Sequence, residues 1–380
     1  MIFQFNNLPN NTTNVVPSNI TIPEVYKVRG YNWISYGSDN LYPSYITELY
    51  NKSAINKRAL LSKILGVFGG GLRTIDTNLE FILDKANEDE SWNDVFEKVV
   101  TDYEIYGGFA LNVIWNRTGD KIHSFYHMPF EGVRSGEMDA SGKVDNYFYS
   151  SSWKNFKKWT PIKYSSFNPE KSIESPSQIF YFFDYSPGNL YYPLPSYSGS
   201  LQDITIDVEV SNLHLSNLQN GLNPSLFVSF HNGMPDPAHQ QEVYNALASS
   251  FGGTFNTGKF FMAFSDDKEH APEVTPIESA NDEYYVNLET RITTRILSGH
   301  GITSPLLMGL YHEGGGGLGS NKDEILVSYE HFKTTVLQPD IKALLKPMNK
   351  LVKYFGYETE LYIEPLKMFD AGTNTIQSVE

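Results

Sequence analysis

The stretch from residue 279 to residue 354 constrains the fold most, because it holds two helical patterns separated by a run of glycines, Gly314–Gly317. The second pattern begins at Asn321, with Glu324 placed for a capping box. Pro339 predicts a kink in it, since proline lacks the N–H and clashes with the preceding turn. The first pattern has apolar residues at every fourth position, as on one helical face, namely Tyr284, Leu288, Ile292 and Ile296. The sequence therefore predicts a helix, a glycine loop and a long kinked helix.

The motifs of this stretch resemble those of the portal proteins of tailed bacteriophages. In that family a stem helix passes through an "hGhxxxLLGL" segment into a tunnel loop, and the matching segment here is Ile296–Leu310. The family's "SN-x-x-E" helix start is matched by Ser320–Glu324, and its long proline-containing helix is echoed by Leu337–Val352.

Three upstream segments continue the resemblance in chain order, namely 96–110, 184–188 and 220–225. They look like the family's helix and strand, its mid-chain turn and the exit from its first stem helix. Tyr192–Pro195 and Gly108 depart from the family pattern. The match runs from roughly residue 90 to residue 355, and the ordered set is more specific than any single piece.

The predicted fold class is α+β, because helical patterns at 44–65, 78–86 and 91–106 precede a hairpin over 109–127 and further short strands. The resemblance implies the portal fold and divides the chain as follows: an N-terminal arm (1–23), the first part of a wing (24–200), stem helix 1 (201–221), an α/β clip (222–277), stem helix 2 (278–303), a tunnel loop (304–321), the kinked wing helix with a strand (322–364), and a short C-terminal tail with a reduced or absent crown (365–380).

The composition sets outer limits on function. Of 380 residues, 40% are hydrophobic and 19% are charged, which suffices for a sizeable core. The net charge of −15 argues against a surface that grips nucleic acid throughout. There is no cysteine, so neither disulfides nor thiolate metal sites exist. The first residues lack the pattern of a signal peptide, and no apolar run is long enough to span a membrane.

A polar stripe on the first stem helix is the candidate lining of a channel. Spacing near 3.6 residues puts four polar residues on one helical face, and the rest of the helix is largely apolar, so we expect this face to point into the lumen of a ring. The alternative is that the two acids only favour the helix N-terminus through its dipole. The stripe consists of Asp203, Asp207, His214 and Asn217.

The apolar faces of the two stem helices are the candidate subunit interface, because they carry more apolar surface than one contact within the chain would use. The residues assigned to it are Ile204, Val208, Leu215, Leu288, Ile292 and Ile296. Two pairs of loop residues in the clip are the candidate docking site for other proteins: Gly252, Gly253, Asp266 and Asp267.

The glycine loop formally fits the G-x-G-x-x-G pattern, but the preceding segment is not a clear strand, so nucleotide binding is disfavoured. A mobile loop that faces a channel is favoured over an ordinary surface linker, and its residues are Gly314, Gly315, Gly316, Gly317, Leu318 and Gly319. His123 and His127 lie on a predicted strand, where a structural role is favoured over zinc binding.

One basic-aromatic cluster stands out in this acidic chain, with three lysines interleaved with aromatic residues between Trp153 and Trp159. Stacking on nucleic acid is one interpretation. A half-exposed amphipathic strand is the favoured one.

The resemblance implies a ring, usually twelve-fold, at one capsid vertex, through which double-stranded DNA enters and leaves. Its implied partners are the major capsid protein, the large subunit of the terminase and a head–tail adaptor, with no membrane, no cofactor and no covalent chemistry of its own. The implied location is the virion, after assembly in the host cytoplasm. The alternatives are a secreted or surface glycan-binding protein and, less favoured, a hydrolase.

Overall fold

The computed structural model describes residues 22–220, 226–230, 236, 238–239, 241–242, 260–264, 282–309 and 322–366. The chain forms two compact units, one of Met1–Gln202 with Arg295–Glu380 and one of Asp203–Thr294. The smaller unit is thus an insertion in the larger, and both boundaries fall inside helices.

The larger unit begins with two helices where the sequence predicts one over 44–65. Helix α1 spans Tyr42–Lys52 and helix α2 spans Ala54–Phe68. The break is at Ser53, which adopts an extended backbone and accepts a hydrogen bond from the Asn56 N–H through its side chain. A serine that caps a new helix interrupts the apolar periodicity without a glycine or proline.

Helix α3 spans Trp92–Tyr106 and has the predicted start, because Ser91 and Asp94 form a reciprocal capping box. It ends at Gly107, whose φ of 84° is left-handed and whose added Cβ would lie 2.5 Å from the Leu194 carbonyl oxygen. The helix predicted over 78–86 is instead a 3₁₀ helix, Thr77–Asp84, with Asp76 as its cap.

A six-stranded sheet follows. Its strands are β2 (Gly108–Trp115), β3 (Ile122–Met128), β4 (Val133–Ser135), β5 (Asn146–Tyr149), β6 (Ile162–Ser166) and β7 (Ser177–Phe183), after a short β1 (Leu72–Thr74). The order is β3-β2-β7-β6-β5-β4, antiparallel except for the parallel pair β6–β7. The predicted hairpin is the pair β2–β3.

The smaller unit is formed around two helices and a strand pair. Helix α4 spans Leu201–Asn220 and helix α5 spans Asp282–Gly299. Strands β8 (Leu226–Phe230) and β9 (Phe260–Phe264) pair in parallel, as a β-α-β insert requires. The predicted helix over 236–251 lies mostly outside the described residues.

The predicted long helix is present as helix α6 (Lys322–Phe332), a π-helical segment (Lys333–Leu337) and helix α7 (Gln338–Phe355). Pro339 lies in the first turn of α7, directly after the π segment. The wider π turn relieves the clash between the proline ring and the preceding turn. Strand β10 (Leu361–Ile363) then pairs with β1.

One apolar core joins these elements of the larger unit. Helix α3 and the hairpin β2–β3 contribute many fully buried side chains, and α7 covers them with Leu344, Met348, Leu351 and Val352. A separate small cluster contains Trp33, Phe148 and Trp153. The segment 153–159 is a series of turns, so the strand favoured there from sequence is wrong.

A buried ionic cluster lies among helices α2, α3 and α7. The ammonium of Lys63 is 2.5 Å from a Glu104 carboxylate oxygen and 3.5 Å from one of Asp340. Burial lowers the pKa of Lys63, but the two carboxylates outweigh it and raise the pKa above its usual value. Burial, together with the nearby Glu104 charge, raises the pKa of Asp340 to about 7.

Stability should therefore fall as Asp340 loses its proton. Because the pKa of Asp340 is raised in the fold, the folded chain holds more protons than the unfolded chain between pH 4 and pH 7. The free energy of unfolding of the wild type, relative to Asp340→Asn, should fall across this window by up to about 1.4 kcal/mol per pH unit. Urea unfolding of both proteins at pH 5 and pH 8 measures it. Asp84→Asn, at an exposed site, is the control. The prediction is contradicted if the wild type and Asp340→Asn differ in free energy of unfolding by the same amount at pH 5 and pH 8.

Candidate channel-lining and assembly surface

The ends of α4 and α5 that belong to the larger unit are in direct contact. Ser200, which precedes α4, donates a hydrogen bond from its hydroxyl to the Arg295 carbonyl at 3.2 Å. A Cβ added to Gly299 would lie 1.8 Å from the Ser200 Oγ. Only a glycine at position 299 permits this approach, so the pair Ser200–Gly299 fixes where the two helices meet.

A histidine anchors the end of α5 in the core of the larger unit. His300 Nε2 is 2.9 Å from the Asn56 side-chain oxygen, and its ring stacks on Tyr197 at 4.6 Å. The Tyr197 hydroxyl in turn donates to the Ile105 carbonyl at 2.9 Å. Burial, and then the nearby Lys63 ammonium, lower the pKa of His300 to about 3, so the ring is neutral.

The start of the predicted tunnel loop is also held by α2. Pro305–Met308 form a short 3₁₀ helix capped by Ser304, and Arg58 donates from Nε to the Met308 carbonyl at 3.0 Å. The glycine-loop residues Gly314, Gly315, Gly316, Gly317, Leu318 and Gly319 lie outside the described residues. The same holds for the predicted docking residues Gly252, Gly253, Asp266 and Asp267.

The structure places the predicted channel residues on one side of α4. At 100° per residue, Asp203, Asp207, His214 and Asn217 fall within an arc of about 80°. The side chains of Asp203 and Asp207 are half-buried, and that of His214 is exposed. His214 Nε2 is 3.8 Å from a Glu289 carboxylate oxygen of α5, a contact that the sequence pattern alone did not indicate.

The predicted interface residues divide into two groups. Ile204, Val208, Ile292 and Ile296 are between 0% and 7% exposed within a single chain, so their burial does not require a second copy. Leu288 is half-buried, and Leu215 is 54% exposed. The assignment of all six to a subunit interface stays a prediction.

The middle of α4 has no buried side. All side chains from Ser211 to Ser216 are exposed, and they include Leu213 at 44% as well as Leu215. The two leucines lie on different faces of this exposed part of the helix, so each leaves apolar surface available for contact with another chain. Leu213 and Leu215 are therefore better interface candidates than the buried isoleucines.

The histidines and acidic residues of the described ranges are not arranged as a metal site. No group of three or more His, Asp or Glu there is placed to hold a metal ion. His127 is bonded to Asp102 at 2.7 Å, a pairing that accounts for it without a metal. No described helix is long and apolar enough to cross a membrane.

Comparison with solved structures identifies the fold. A chain of the neck of the empty gene transfer agent (GTA) particle, computed with C6 symmetry, matches with a TM-score of 0.57 and 12% identity, over 87% of this chain and 85% of that one. A chain of the neck of the native particle, computed with C12 symmetry, matches with a TM-score of 0.53 and 12% identity, over 83% of each.

This chain has the fold of those neck proteins. The α+β class predicted from sequence is confirmed. An HK97-family phage portal protein from Corynebacterium diphtheriae also matches, with a TM-score of 0.47 and 13% identity, over 84% of this chain and 94% of that one. No protein-family model matches the sequence, and no curated protein matches it.

The contact between Ser200 and Gly299 can be tested with one methyl group. Gly299→Ala should lower the free energy of unfolding by about 1–3 kcal/mol, because the new Cβ has no room. Gly199→Ala is the matched control, since a Cβ there meets no atom within 4 Å. Thermal unfolding measures both. Equal stability of the two variants would show that the helix ends are not in close contact.

Proposed function

We propose that this protein is the portal subunit of a tailed phage or a related particle. The observation that carries the proposal is a fold shared over most of the chain with neck proteins of the GTA particle. It agrees with the ordered portal motifs between residues 90 and 355. In this role the chain forms a ring in the virion and performs no covalent chemistry.

The ring is supported by two independent features. The similar neck chains belong to structures computed with C6 and C12 symmetry, and the exposed leucines of α4 offer an apolar contact to a neighbour. Burial of a leucine stabilises by about 1.5–3 kcal/mol, and a closed ring repeats the contact at every subunit. The proposed ring has twelve subunits, one for each repeat of the C12 neck.

The proposed lining of the channel is the polar side of α4. Each subunit contributes Asp203 and Asp207, so the ring carries a band of carboxylates around the duplex. DNA has one charge per roughly 1.7 Å of axis, and salt screens the repulsion beyond about 8–10 Å. The band therefore keeps the duplex from adhering without forming a strong barrier. The glycine loop Gly314–Gly319 would be the part that touches the DNA.

The proposed partners follow from the portal role. The clip, 222–277, would dock first the large subunit of the terminase and then the head–tail adaptor, and the wing would contact the major capsid protein. These assignments rest on the resemblance in sequence and fold.

Assembly should depend on the exposed leucines of α4. Leu213→Asp with Leu215→Asp should abolish rings while the protomer stays folded, because both side chains are largely exposed in the single chain. Asn212→Asp adds a charge to the same exposed turn and should leave rings intact. Sedimentation velocity separates rings from monomers, and circular dichroism checks the fold. Normal rings from the double variant would show that this part of α4 is not in the subunit interface. A wild-type chain that stays monomeric would favour a glycan-binding protein or a hydrolase.

The lumen assignment predicts an effect on DNA movement. Asp203→Lys with Asp207→Lys should slow packaging at low salt, because the duplex is then attracted to the wall, and the rate should recover as salt screens the attraction. Packaging by purified heads and terminase, over a salt series, measures the rate. Wild-type rates at every salt concentration, in rings of normal size, would exclude the lumen position.

A further inference from the structure

A lysine-rich segment lies beside one edge of the six-stranded sheet. No acidic residue occurs between Asn146 and Pro169, although the chain has a net charge of −15. The segment has exposed lysines that form no ion pair with any residue the structure describes, namely Lys154, Lys157, Lys158 and Lys163. Trp159 is half-exposed, with the Lys158 ammonium 6.0 Å from its ring centre. We call Lys154, Lys157, Lys158 and Trp159 the basic patch.

The patch is held in place by its neighbours in the fold. Trp153 is buried and donates from its indole N–H to the Gly132 carbonyl at 2.8 Å. The Ser150 hydroxyl donates to the Trp159 carbonyl at 2.8 Å. Gly132 directly precedes β4, which is the edge strand on this side. The turn segment with Lys154, Lys157 and Lys158 is therefore held beside the β4 edge, whereas Lys163 lies in β6.

The opposite edge of the same sheet carries an acidic cleft. The cleft has a volume of about 640 Å³ and is lined by α3, the loop before it and His127 of edge strand β3. Its acidic residues are Asp89, Glu90, Asp94, Glu97 and Asp102.

Part of this acidic charge is neutralised within the chain. Glu90 pairs with Lys98, and Asp102 pairs with His127. Asp89 and Glu97 are exposed, and their carboxylates form no ion pair with a described residue. Among the described residues, the cleft thus keeps negative charge that no ion pair offsets.

The two surfaces are separated by the width of the sheet. Five strand spacings of about 4.8 Å put the β3 and β4 edges roughly 24 Å apart. Two complementary surfaces at different places on one molecule form head-to-tail contacts, and such contacts close into a ring when the rotation between copies permits. Like-charged copies repel one another, so opposite charges at the contact also set the correct pairing.

We propose that the basic patch of one subunit docks against the acidic cleft of the next subunit, with Lys154, Lys157 and Lys158 facing Asp89 and Glu97. The proposal rests on the proposed ring and adds the charge pairing that orients its subunits. A second copy is favoured over nucleic acid as the occupant, because the same sheet carries a surface of matching charge. This contact is separate from the leucines of α4.

Charge reversal tests the pairing. The patch variant is Lys154→Glu, Lys157→Glu and Lys158→Glu, and the cleft variant is Asp89→Lys and Glu97→Lys. Each should lower the fraction of chains in rings at least tenfold at low salt. The combined variant, in which both charges are reversed, should restore rings. A mixture of the two separate variants should also form rings, because each supplies the charge that the other lacks.

The matched control reverses three exposed lysines of α7 that also form no ion pair with described residues: Lys342→Glu, Lys346→Glu and Lys353→Glu. It makes the same charge change as the patch variant and should leave rings unaffected. Sedimentation velocity at several salt concentrations measures every protein, with circular dichroism to confirm the fold. Wild-type rings should also form less readily as salt rises.

Three results would overturn the proposal. Normal rings from the patch variant would show that the lysines do not face a neighbour. Loss of rings without recovery in the combined variant or the mixture would show that the cleft is not their partner. Normal rings from both variants, with weaker binding of a DNA duplex by the patch variant, would assign the patch to nucleic acid. In each case wild-type rings leave the portal proposal standing, whereas a monomeric wild type overturns both.

Discussion

The buried pairing of Lys63 with Glu104 and Asp340 is the interaction on which the larger unit depends. It joins α2, α3 and α7, and its ammonium adds to the effect of burial in lowering the pKa of His300, which follows α5. A buried charge that loses its partner is strongly destabilising, so these helices are constrained to stay together. The helix that leaves this unit and the helix that returns to it are positioned by the same region.

Within the larger unit, the start of α4 and the end of α5 are held in the same region. The contact between Ser200 and Gly299 brings the two helices together where they enter and leave the larger unit. Beyond this point α4 buries Ile204 and Val208 and then exposes Leu213 and Leu215. Under the proposed function, these exposed leucines are the part of α4 that would contact a neighbouring subunit.

Local signals in the sequence predicted much of the fold. The Ser91 capping box, the β2–β3 hairpin and the long helix around Pro339 all have the predicted positions. The break at Ser53 was missed, because a serine also fits inside a helix. The parallel pairing of β6 with β7 and the burial of Lys63 depend on residues far apart in sequence, so no local pattern reports them.

For the candidate site, the sequence predicted positions along a helix but not the burial of the side chains. Periodicity placed Asp203 and Asp207 on one face of a helix, and both residues lie in α4, while their position in a channel stays a prediction. Periodicity could not distinguish burial within a chain from burial between chains. Ile292 and Leu215 were therefore both assigned to the subunit interface, although they are 3% and 54% exposed.

Electron cryo-microscopy of the purified wild-type protein tests the central claim most directly. The account predicts closed rings in which Leu201–Asn220 lies beside an axial channel with Asp203 and Asp207 facing it, whereas monomers, open filaments or rings with this helix on the outer surface would contradict it.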